Sequence, residues 1–473
     1  MNKVKIDIIK PSPTDKGAFA KMHLSLVDNN SYSLEVDNAH FERLYSYTNE
    51  TTSIAFEFYL FSVIVYNIDK LIPRKKLSLD GWTREIHFEF PVNNLPKWNS
   101  SKQKISKMLS FLTGDLWSVE FYQGDSGNFY TPLNEQISNS FVPEKICLFS
   151  GGLDSLVGSY ELLKSSIKTL LVSHFDVAMS GPNSDQRKII SHLKNKFDIN
   201  TDFDWVDNRV GAKRGSSKKL ETTFRSRSIL FIGMAAYLAH NLTPNESFHI
   251  PENGTISLNI PLSPSRRSSC STKTTHPHFL SLVNSIFNSF NILTCVKNPH
   301  EFQTKGEMLV PHSNDNFFKG LVELSNSCGK GGHTVWWYKI YHNKHFSANI
   351  DTSESHHCGK CMPCIYRRAA MHKVNWDSEK YYGDNIFNAN QWSWKNESWN
   401  KRMKDVKTFL TFLSLQKTQK EIKRELLING TLPFSKLDDY SNVVVRTIDE
   451  IKDWLNSHSS DSNYQELKNR AKL

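Results

Sequence analysis

The chain has 473 residues, of which 38% are hydrophobic and 22% charged, and its formal net charge is +10. This composition excludes a disordered or fibrous protein, and the length predicts two or three domains. No apolar run approaches the roughly 20 residues that a membrane helix needs, and the alternating first residues form no signal segment, so we expect a cytoplasmic protein with no membrane partner. The basic residues are scattered, which argues against a nucleic-acid partner.

Residues 1–143 predict an α+β accessory domain. Alternating apolar and polar residues predict strands at 4–8 and 85–90. Between them the apolar segment 56–68 predicts a buried helix. No cysteine occurs in this part of the chain.

From residue 144 to residue 375 strand patterns and helix patterns alternate. This order predicts an α/β domain with a doubly wound parallel sheet, whose ligands bind at the carboxyl ends of the strands. The first strand-to-helix turn is therefore the place to look for a site. The predicted elements are strands at 146–149, 169–173 and 203–206, with helices at 153–164, 186–197 and about 224–239.

Residues 376–473 predict a helical C-terminal extension. Amphipathic stretches at 406–415, 421–428 and 447–455 have the spacing of helices with one apolar face. We interpret these helices as packing on the rest of the chain, and a surface for a partner protein is the alternative.

The turn after the first α/β strand reads Ser150-Gly151-Gly152-Leu153-Asp154-Ser155. Two glycines let the backbone approach a phosphate, and the helix that follows offers N–H groups and the positive end of its dipole. The serines can donate hydrogen bonds, and Asp154 can bind Mg²⁺ or order the loop. The spacing of a Walker loop is absent from the sequence, and a simple Gly-Gly turn is the structural alternative.

Three cysteines fall within seven positions, at Cys358, Cys361 and Cys364, and Cys328 lies upstream. Four thiolates suit a tetrahedral, closed zinc site. A redox pair is the rival interpretation, although such a pair needs no third and fourth cysteine. His356 or His357 could replace Cys328 as the fourth ligand.

The glycine-rich turn resembles the SGGxDS signature of the N-type ATP pyrophosphatases. Together with Ser-x-x-Cys and Cys-Gly-x-Cys-x-x-Cys-x-x-Arg, where the arginine is Arg367, it is similar to the 7-cyano-7-deazaguanine synthase (QueC) family over about residues 145–372. This resemblance implies the adenine nucleotide alpha hydrolase-like fold, with ATP, Mg²⁺ and Zn²⁺ as cofactors. It also implies a ligase that uses ATP to activate a 7-carboxy-7-deazaguanine-like carboxylate for attack by an amine.

The resemblance also suggests roles for single residues. ATP is expected to bind the six residues of the loop, and the polyphosphate charge requires basic side chains, for which Arg225, Arg227 and Lys305 are the candidates. We predict four catalytic residues and three ligands of a 7-deazaguanine-type small molecule, while Phe175 and Asn259 are weaker candidates for the second role. The catalytic residues are Asp154, Ser155, Arg227 and Lys305, and the substrate ligands are Asn253, Arg266 and Arg267.

The segments outside the resemblance to the biosynthetic enzyme suggest a subgroup. Residues 82–84, 112–117, 251–254 and 274–277 look similar to the QatC group of QueC-like proteins, which are encoded in bacterial anti-phage defence islands. A partner protein of a defence operon is then a possible amine donor. The alternative within the family is the housekeeping synthase of queuosine biosynthesis.

The cysteines also bear on the mechanism. A glutamine-dependent synthetase needs a thiol nucleophile, but position 2 is Asn and the first cysteine, Cys147, falls inside a predicted strand. The amine must then be ammonia or an amino group of another molecule. Two alternatives stay open at this stage: a tRNA thiolase with Cys270 or Cys295 as the sulfur carrier, and a non-catalytic nucleotide-binding scaffold or sensor.

Overall fold

A computed structural model gives the architecture of most of the chain. Among the residues it describes, every helix is too short or too polar to cross a bilayer. The described residues are 2–9, 12, 14, 21–26, 33–36, 43–78, 80–124, 139–175, 181–209, 212–214, 221, 225–263, 273–329, 357–388 and 403–473.

Strands and helices are interspersed up to about residue 300, and beyond it the described elements are helical. The strands are β1 (Asn2–Ile9), β2 (Lys21–Leu26), β3 (Ser33–Val36), β4 (Glu85–Val92), β5 (Leu116–Gln123), β6 (Lys145–Leu148), β7 (Thr169–Phe175), β8 (Phe203–Arg209), β9 (Ala212–Arg214), β10 (Ser247–His249) and β11 (Cys295–Lys297). The helices are α1 (Ile54–Leu71), α2 (Arg74–Leu77), α3 (Leu95–Thr113), α4 (Leu153–Lys164), α5 (Gly181–Leu193), α6 (Arg227–Leu242), α7 (Gly254–Leu258), α8 (Pro277–Phe290), α9 (Lys305–Leu309), α10 (Asn316–Leu324), α11 (Met362–Lys373), α12 (Lys404–Ser414), α13 (Gln419–Asn429), α14 (Leu437–Ser457) and α15 (Tyr464–Ala471).

A five-stranded sheet with the order β11-β10-β6-β7-β8 carries the candidate site, and all its neighbouring strands are parallel. The chain enters at the central strand β6, proceeds outward through β7 and β8, and returns to the other side of β6 with β10. Ligands of such sheets bind where the strand order reverses, outside the carboxyl end of the central strand. The predicted α/β fold with a parallel sheet is confirmed at this level.

Both faces of this sheet are covered. Successive side chains of a strand point to opposite sides, and those of β6 and of the residue after it pack in two different cores. Ile146 and Leu148 pack in a core that includes helix α6. Cys147 and Phe149 pack in a second core, with helix α4. Burial on both faces explains why β6 reads as a continuous apolar run.

The second sheet has six strands in the order β5-β4-β1-β2-β3-β9. Strand β1 is antiparallel to β2 but parallel to β4, so the sheet is mixed. Strand β9 pairs with β3 although it lies far along the chain. Helix α1 and helix α6 contribute to one core, which is continuous across the predicted boundary at residue 143. That boundary, like the one at residue 375, stays a prediction.

The C-terminal helices share a third core with helix α11 and with the end of helix α7. Helices α12, α13 and α14 confirm the three amphipathic stretches expected here. The helix expected at 186–197 instead begins at Gly181 and ends at Leu193. The buried Phe197 lies in the turn that follows this helix. The helix expected from about residue 224 begins at Arg227, and Phe224 itself lies outside the described residues.

Candidate functional site

The glycine-rich loop joins the carboxyl end of β6 to the start of α4. Gly151 has φ +81°, a conformation that favours glycine, and a Cβ there would lie 3.0 Å from Cγ of Gln186. Gly152 is the N-cap residue of α4 and has no side chain to bind the first N–H groups of the helix. Those groups can therefore bind an anion, as the sequence predicts.

Ser155 determines the shape of this loop. Its Oγ accepts a hydrogen bond from Ser150 N at 3.2 Å and donates one to Gly152 O at 3.0 Å. From helix α5, Gln186 Nε2 donates to Ser150 O at 3.2 Å. The side chain of Ser155, which we predict as a catalytic residue, thus holds the backbone of the loop through hydrogen bonds to Ser150 and Gly152.

A pocket of about 360 Å³ opens in front of the loop. Its lining brings together residues from seven separate parts of the chain, including both basic residues predicted as catalytic. It is lined by the loop residues 150–155, by Asp185 and Arg227, by Pro251, Glu252, Ile256 and Lys305, by residues 326–329 and by Pro363.

Asp154 forms a buried ion pair with another residue that lines this pocket. Lys305, only 5% exposed, donates from Nζ to Asp154 Oδ1 at 2.5 Å. Asn253 Nδ2 donates to Asp154 Oδ2 at 2.8 Å, and Asn253 Oδ1 accepts from Ile256 N at 3.1 Å. Asn253, predicted as a substrate ligand, therefore supports the carboxylate with one end of its amide and caps helix α7 with the other.

Glu252 adds a second carboxyl group beside Asp154. Burial would raise the pKa of Asp154, but the charge of Lys305 and hydrogen bonds from Glu252, Lys305 and Asn253 outweigh it, so that this pKa is lowered. The pKa of Glu252 is raised well above its usual value, by burial and by the negative charge of Asp154. One negative charge therefore faces Lys305, and Glu252 keeps its proton.

Asp185, from helix α5, is a third carboxyl group on the pocket wall. Burial raises its pKa to about 6, although a hydrogen bond with Asn326 and the charge of Lys188 act in the opposite direction. Carboxylate oxygens are the ligands that Mg²⁺ prefers, and both Asp154 and Asp185 line the pocket.

The two candidate arginines before and at the start of α6 point to different places. Arg227 lines the pocket, and its guanidinium donates to His174 O at 3.0 Å. Arg225 is buried away from the pocket, where it donates to Thr113 O at 2.9 Å and stacks over the Trp82 ring at 4.8 Å. Of the two, Arg227 is the residue that can reach a bound phosphate.

The four cysteines Cys328, Cys358, Cys361 and Cys364 form one cluster that could hold a zinc ion. Their sulfur atoms all lie within 4.8 Å of one another, and three of the separations are 3.3, 3.8 and 3.9 Å. Tetrahedral Zn–S bonds require sulfur separations of about 3.8 Å, so the donor set fits zinc. Backbone N–H groups of Cys358 and Cys361 also point at sulfur, at 3.4 and 3.2 Å.

The cysteine cluster is attached to the glycine-rich loop through residues 325–328. Asn326 N donates to Gly151 O at 3.1 Å, and Leu153 N donates to Ser327 Oγ at 3.4 Å. Arg367, which follows the last cysteine, donates to Ser325 Oγ at 3.0 Å and to Ser327 Oγ at 3.4 Å. Hydrogen bonds therefore connect the cysteine cluster directly to the loop.

Several candidates cannot be placed, and others lie elsewhere. Arg266, Arg267, Cys270 and His356 fall outside the described residues. Phe175 ends strand β7 and Cys295 begins strand β11. The chain matches no family model, no curated protein and no solved structure.

The sequence analysis selects neither Asp185 nor Ser327 for the site, and it includes Glu252 only as part of a segment. Glu252 belongs to the segment 251–254, which the resemblance singles out, and that segment was the available signal. Asp185 and Ser327 reach the pocket only through tertiary contacts, so no local pattern identifies them.

Proposed function

We propose that this chain is an ATP-dependent ligase of the N-type ATP-pyrophosphatase type. It activates a 7-carboxy-7-deazaguanine-like carboxylate and joins it to an amine. The observation that carries the proposal is the convergence in one pocket of the Ser150–Ser155 loop, Lys305, Arg227 and the segment leading to the cysteine cluster. The same loop and cysteine motif occur together in the family that the sequence resembles.

The reaction proceeds in two steps. A carboxylate oxygen attacks the α-phosphorus of ATP, the bond to the β-phosphate bridging oxygen breaks, and pyrophosphate leaves. An amine nitrogen then attacks the acyl carbon and loses a proton, and AMP leaves with the oxygen that came from the carboxylate. Negative charge grows on phosphate oxygens in the first step, so fixed positive groups lower its barrier.

The residues of the pocket divide this work. The N–H groups at the start of α4 bind phosphate oxygens, and Arg227 and Lys305 neutralise their charge. Asp154 keeps the Lys305 ammonium in the pocket before the nucleotide binds. Asp154 and Asp185 would hold Mg²⁺, which supplies further positive charge to the phosphates when it is bound.

The amine comes from outside the chain. Among the described residues, the cysteines outside the cluster are Cys147, which is buried within β6, and Cys295 in β11, and neither lines the pocket. Ammonia or an amino group of a partner protein is the remaining source. The setting in anti-phage defence rests on the resemblance of residues 82–84, 112–117, 251–254 and 274–277 alone.

The experiment that tests the proposal measures ATP consumption by the purified protein with 7-carboxy-7-deazaguanine, with and without ammonium. We expect AMP to form only when the carboxylate is present. Lys305→Met should lower turnover by about a hundredfold, because one preorganised charge is lost, whereas Lys164→Met at the far end of α4 should leave it unchanged. Tight ATP binding without turnover under any of these conditions would favour the scaffold alternative instead.

A further inference from the structure

Helix α14 lies along the two segments that carry Asn253 and Lys305. The side chains that contact these segments are spaced three or four positions apart, so they share one face of the helix. They are Tyr440, Val443, Thr447 and Glu450, together with the adjacent Arg446.

Helix α9, which carries Lys305 as its first residue, begins with a capping box. The Thr304 hydroxyl accepts from Glu307 N at 3.0 Å, and the Glu307 carboxylate accepts from Thr304 N at 2.8 Å. This reciprocal pair fixes the backbone at the helix start. The position of Lys305 in the pocket therefore depends on Thr304 and Glu307.

Both side chains of the capping box are bound by α14. The Thr304 hydroxyl donates to Glu450, which is buried and also accepts from Lys373 Nζ at 2.8 Å. Arg446 Nε donates to Glu307 Oε1 at 2.6 Å. The C-terminal helix thus holds the start of α9 at two points.

The same face of α14 also contacts the segment that carries Asn253. Thr447 and Thr255 share a buried hydrogen bond between their hydroxyls. A Cβ on Gly254 would clash with the backbone O of Glu301, so only glycine fits there without movement, and it would also lie 3.0 Å from Cγ1 of Val443 in α14. Lys305 and Asn253, which bind the two carboxylate oxygens of Asp154, thus both lie in segments that contact one helix of the C-terminal extension.

We propose that helix α14 is the positioning element of the pocket, and that Arg446 and Glu450 are positioning residues which act through the capping box on Lys305. The effect of this positioning on catalysis rests on the proposed function. A displacement of about 1 Å in a group that stabilises a transition state can lower a rate by a hundredfold. The C-terminal extension then serves the chemistry of the α/β domain.

The kinetic test compares Arg446→Met, Arg446→Lys and Glu450→Gln with a matched control. Lys417→Met is that control, since Lys417 pairs with Glu425 at 2.8 Å within the C-terminal helices and does not contact α9. We expect kcat for ATP to fall about tenfold or more in Arg446→Met and Glu450→Gln, with KM changed less than about threefold. Arg446→Lys should recover part of the loss. Values of kcat within about twofold of the control would overturn the proposal.

A second measurement does not depend on turnover. Labelling with an amine-reactive reagent, read by mass spectrometry, reports how accessible the Lys305 amine is. We expect the labelling rate of Lys305 to rise about tenfold in Arg446→Met and Glu450→Gln, because the start of α9 is then no longer held and the amine becomes more accessible. In Lys417→Met the rate should stay unchanged. Lys360, buried against Asp384, is the internal reference for unfolding.

The two measurements separate the proposals. Protein that consumes no ATP but shows the Lys305 labelling response would overturn the ligase function and support the positioning role. Equal labelling of Lys305 in all variants would overturn the positioning role. A parallel rise at Lys360 would also overturn it, because the contacts would then stabilise the fold as a whole.

Discussion

Asp154 lies between two partners that determine its charge and its direction. Lys305 binds one carboxylate oxygen and Asn253 the other. Because the group is buried, the loss of either charge of the ion pair is costly unless another group takes its place. Glu252, which keeps its proton beside Asp154, is such a group.

The two halves of the ion pair should respond unequally to substitution. Lys305→Met leaves the Asp154 charge buried and should lower the free energy of unfolding by about 3 kcal/mol. Asp154→Asn should cost less, because Glu252 can lose its proton and pair with Lys305. Urea unfolding of both variants measures the difference. An Asp154→Asn variant that is less stable than Lys305→Met would show that Glu252 does not compensate.

Asp185 should make stability depend on pH. Burial raises its pKa in the folded chain to about 6, above the 3.8 of an unperturbed aspartate, so the folded state binds the extra proton. The bound proton of Asp185 contributes to the free energy of unfolding. This contribution is fully present below pH 3.8 and is lost as the pH rises through 6. Asp185→Asn removes this loss and should be more stable than the wild type at pH 7 by on the order of 2 kcal/mol. Unfolding free energies that differ equally at pH 4 and pH 7 would contradict this explanation.

The residues of the site were only partly predictable. Asp154 stands in a motif, and Lys305 and Arg227 in segments that resemble one family, so the sequence indicates all three. Their pairing does not follow from the sequence, because Asp154 and Lys305 are separated by 151 positions. Asp185 has no motif around it, and its high pKa arises from burial, which only the folded chain provides.

The element that joins the cysteine cluster to the loop explains why a metal would matter to the site. Residues 325–328 include one cysteine and two residues bonded to the loop at Gly151 and Leu153. A structural zinc ion stabilises the fold because its binding is coupled to folding. Loss of the ion should therefore disturb the loop as well as the cluster.

Metal removal tests this coupling. We expect one zinc ion per chain by elemental analysis, and none in Cys361→Ser. Chelation should lower the thermal unfolding midpoint and weaken ATP binding together, because the ligands connect metal binding with folding. Cys147→Ser, a buried cysteine outside the cluster, is the control that should keep its zinc. A chelated protein with unchanged stability but abolished activity would contradict a structural role.

The start of helix α6 depends on a buried network of charges from the first 143 residues. Ser226, the N-cap residue, donates from N and Oγ to Asp69 Oδ2 at 3.1 and 2.7 Å. Asp69 in turn pairs with Arg84, which also binds Asp115 at 2.7 Å. The network therefore lies directly behind Arg227, the first residue of α6.

Arg84→Met should lower both the stability of the fold and the activity of the pocket. It leaves Asp69 and Asp115 with one arginine, Arg74, and should lower the free energy of unfolding by about 3–5 kcal/mol. ATP turnover should fall as well, since Arg227 follows the N-cap residue that Asp69 holds. Lys102→Met breaks an exposed pair with Glu120 and is the control. A variant as stable as this control would show that the network contributes little.

At the scale of the whole molecule, the elements were more predictable than their arrangement. Period-two and helical spacings correctly indicated β1, β4, α1, α4 and the C-terminal helices, since periodicity is local. The pairing of β3 with β9 was not predictable, because it joins segments far apart in the chain. The same holds for the cores that helix α1 shares with α6 and helix α14 with α11.

These shared cores give the parts outside the resemblance a common role. The first 143 residues contact the start of α6, and the C-terminal extension contacts the start of α9. Each of these helices begins with a basic residue that lines the pocket, Arg227 in one case and Lys305 in the other. In the part of the chain that the structure describes, both flanking parts thus contact helices that place a basic residue in one pocket.

The most direct test of carboxylate activation follows an oxygen atom. The protein is given ATP, an amine source and 7-carboxy-7-deazaguanine labelled with ¹⁸O in its carboxylate, and the phosphorus-containing products are analysed by mass spectrometry. Activation at the α-phosphorus predicts AMP that carries one ¹⁸O atom for each molecule of amide formed. ATP consumption that leaves every phosphorus-containing product unlabelled would contradict the account, because the carboxylate oxygen would then never have bonded to phosphorus.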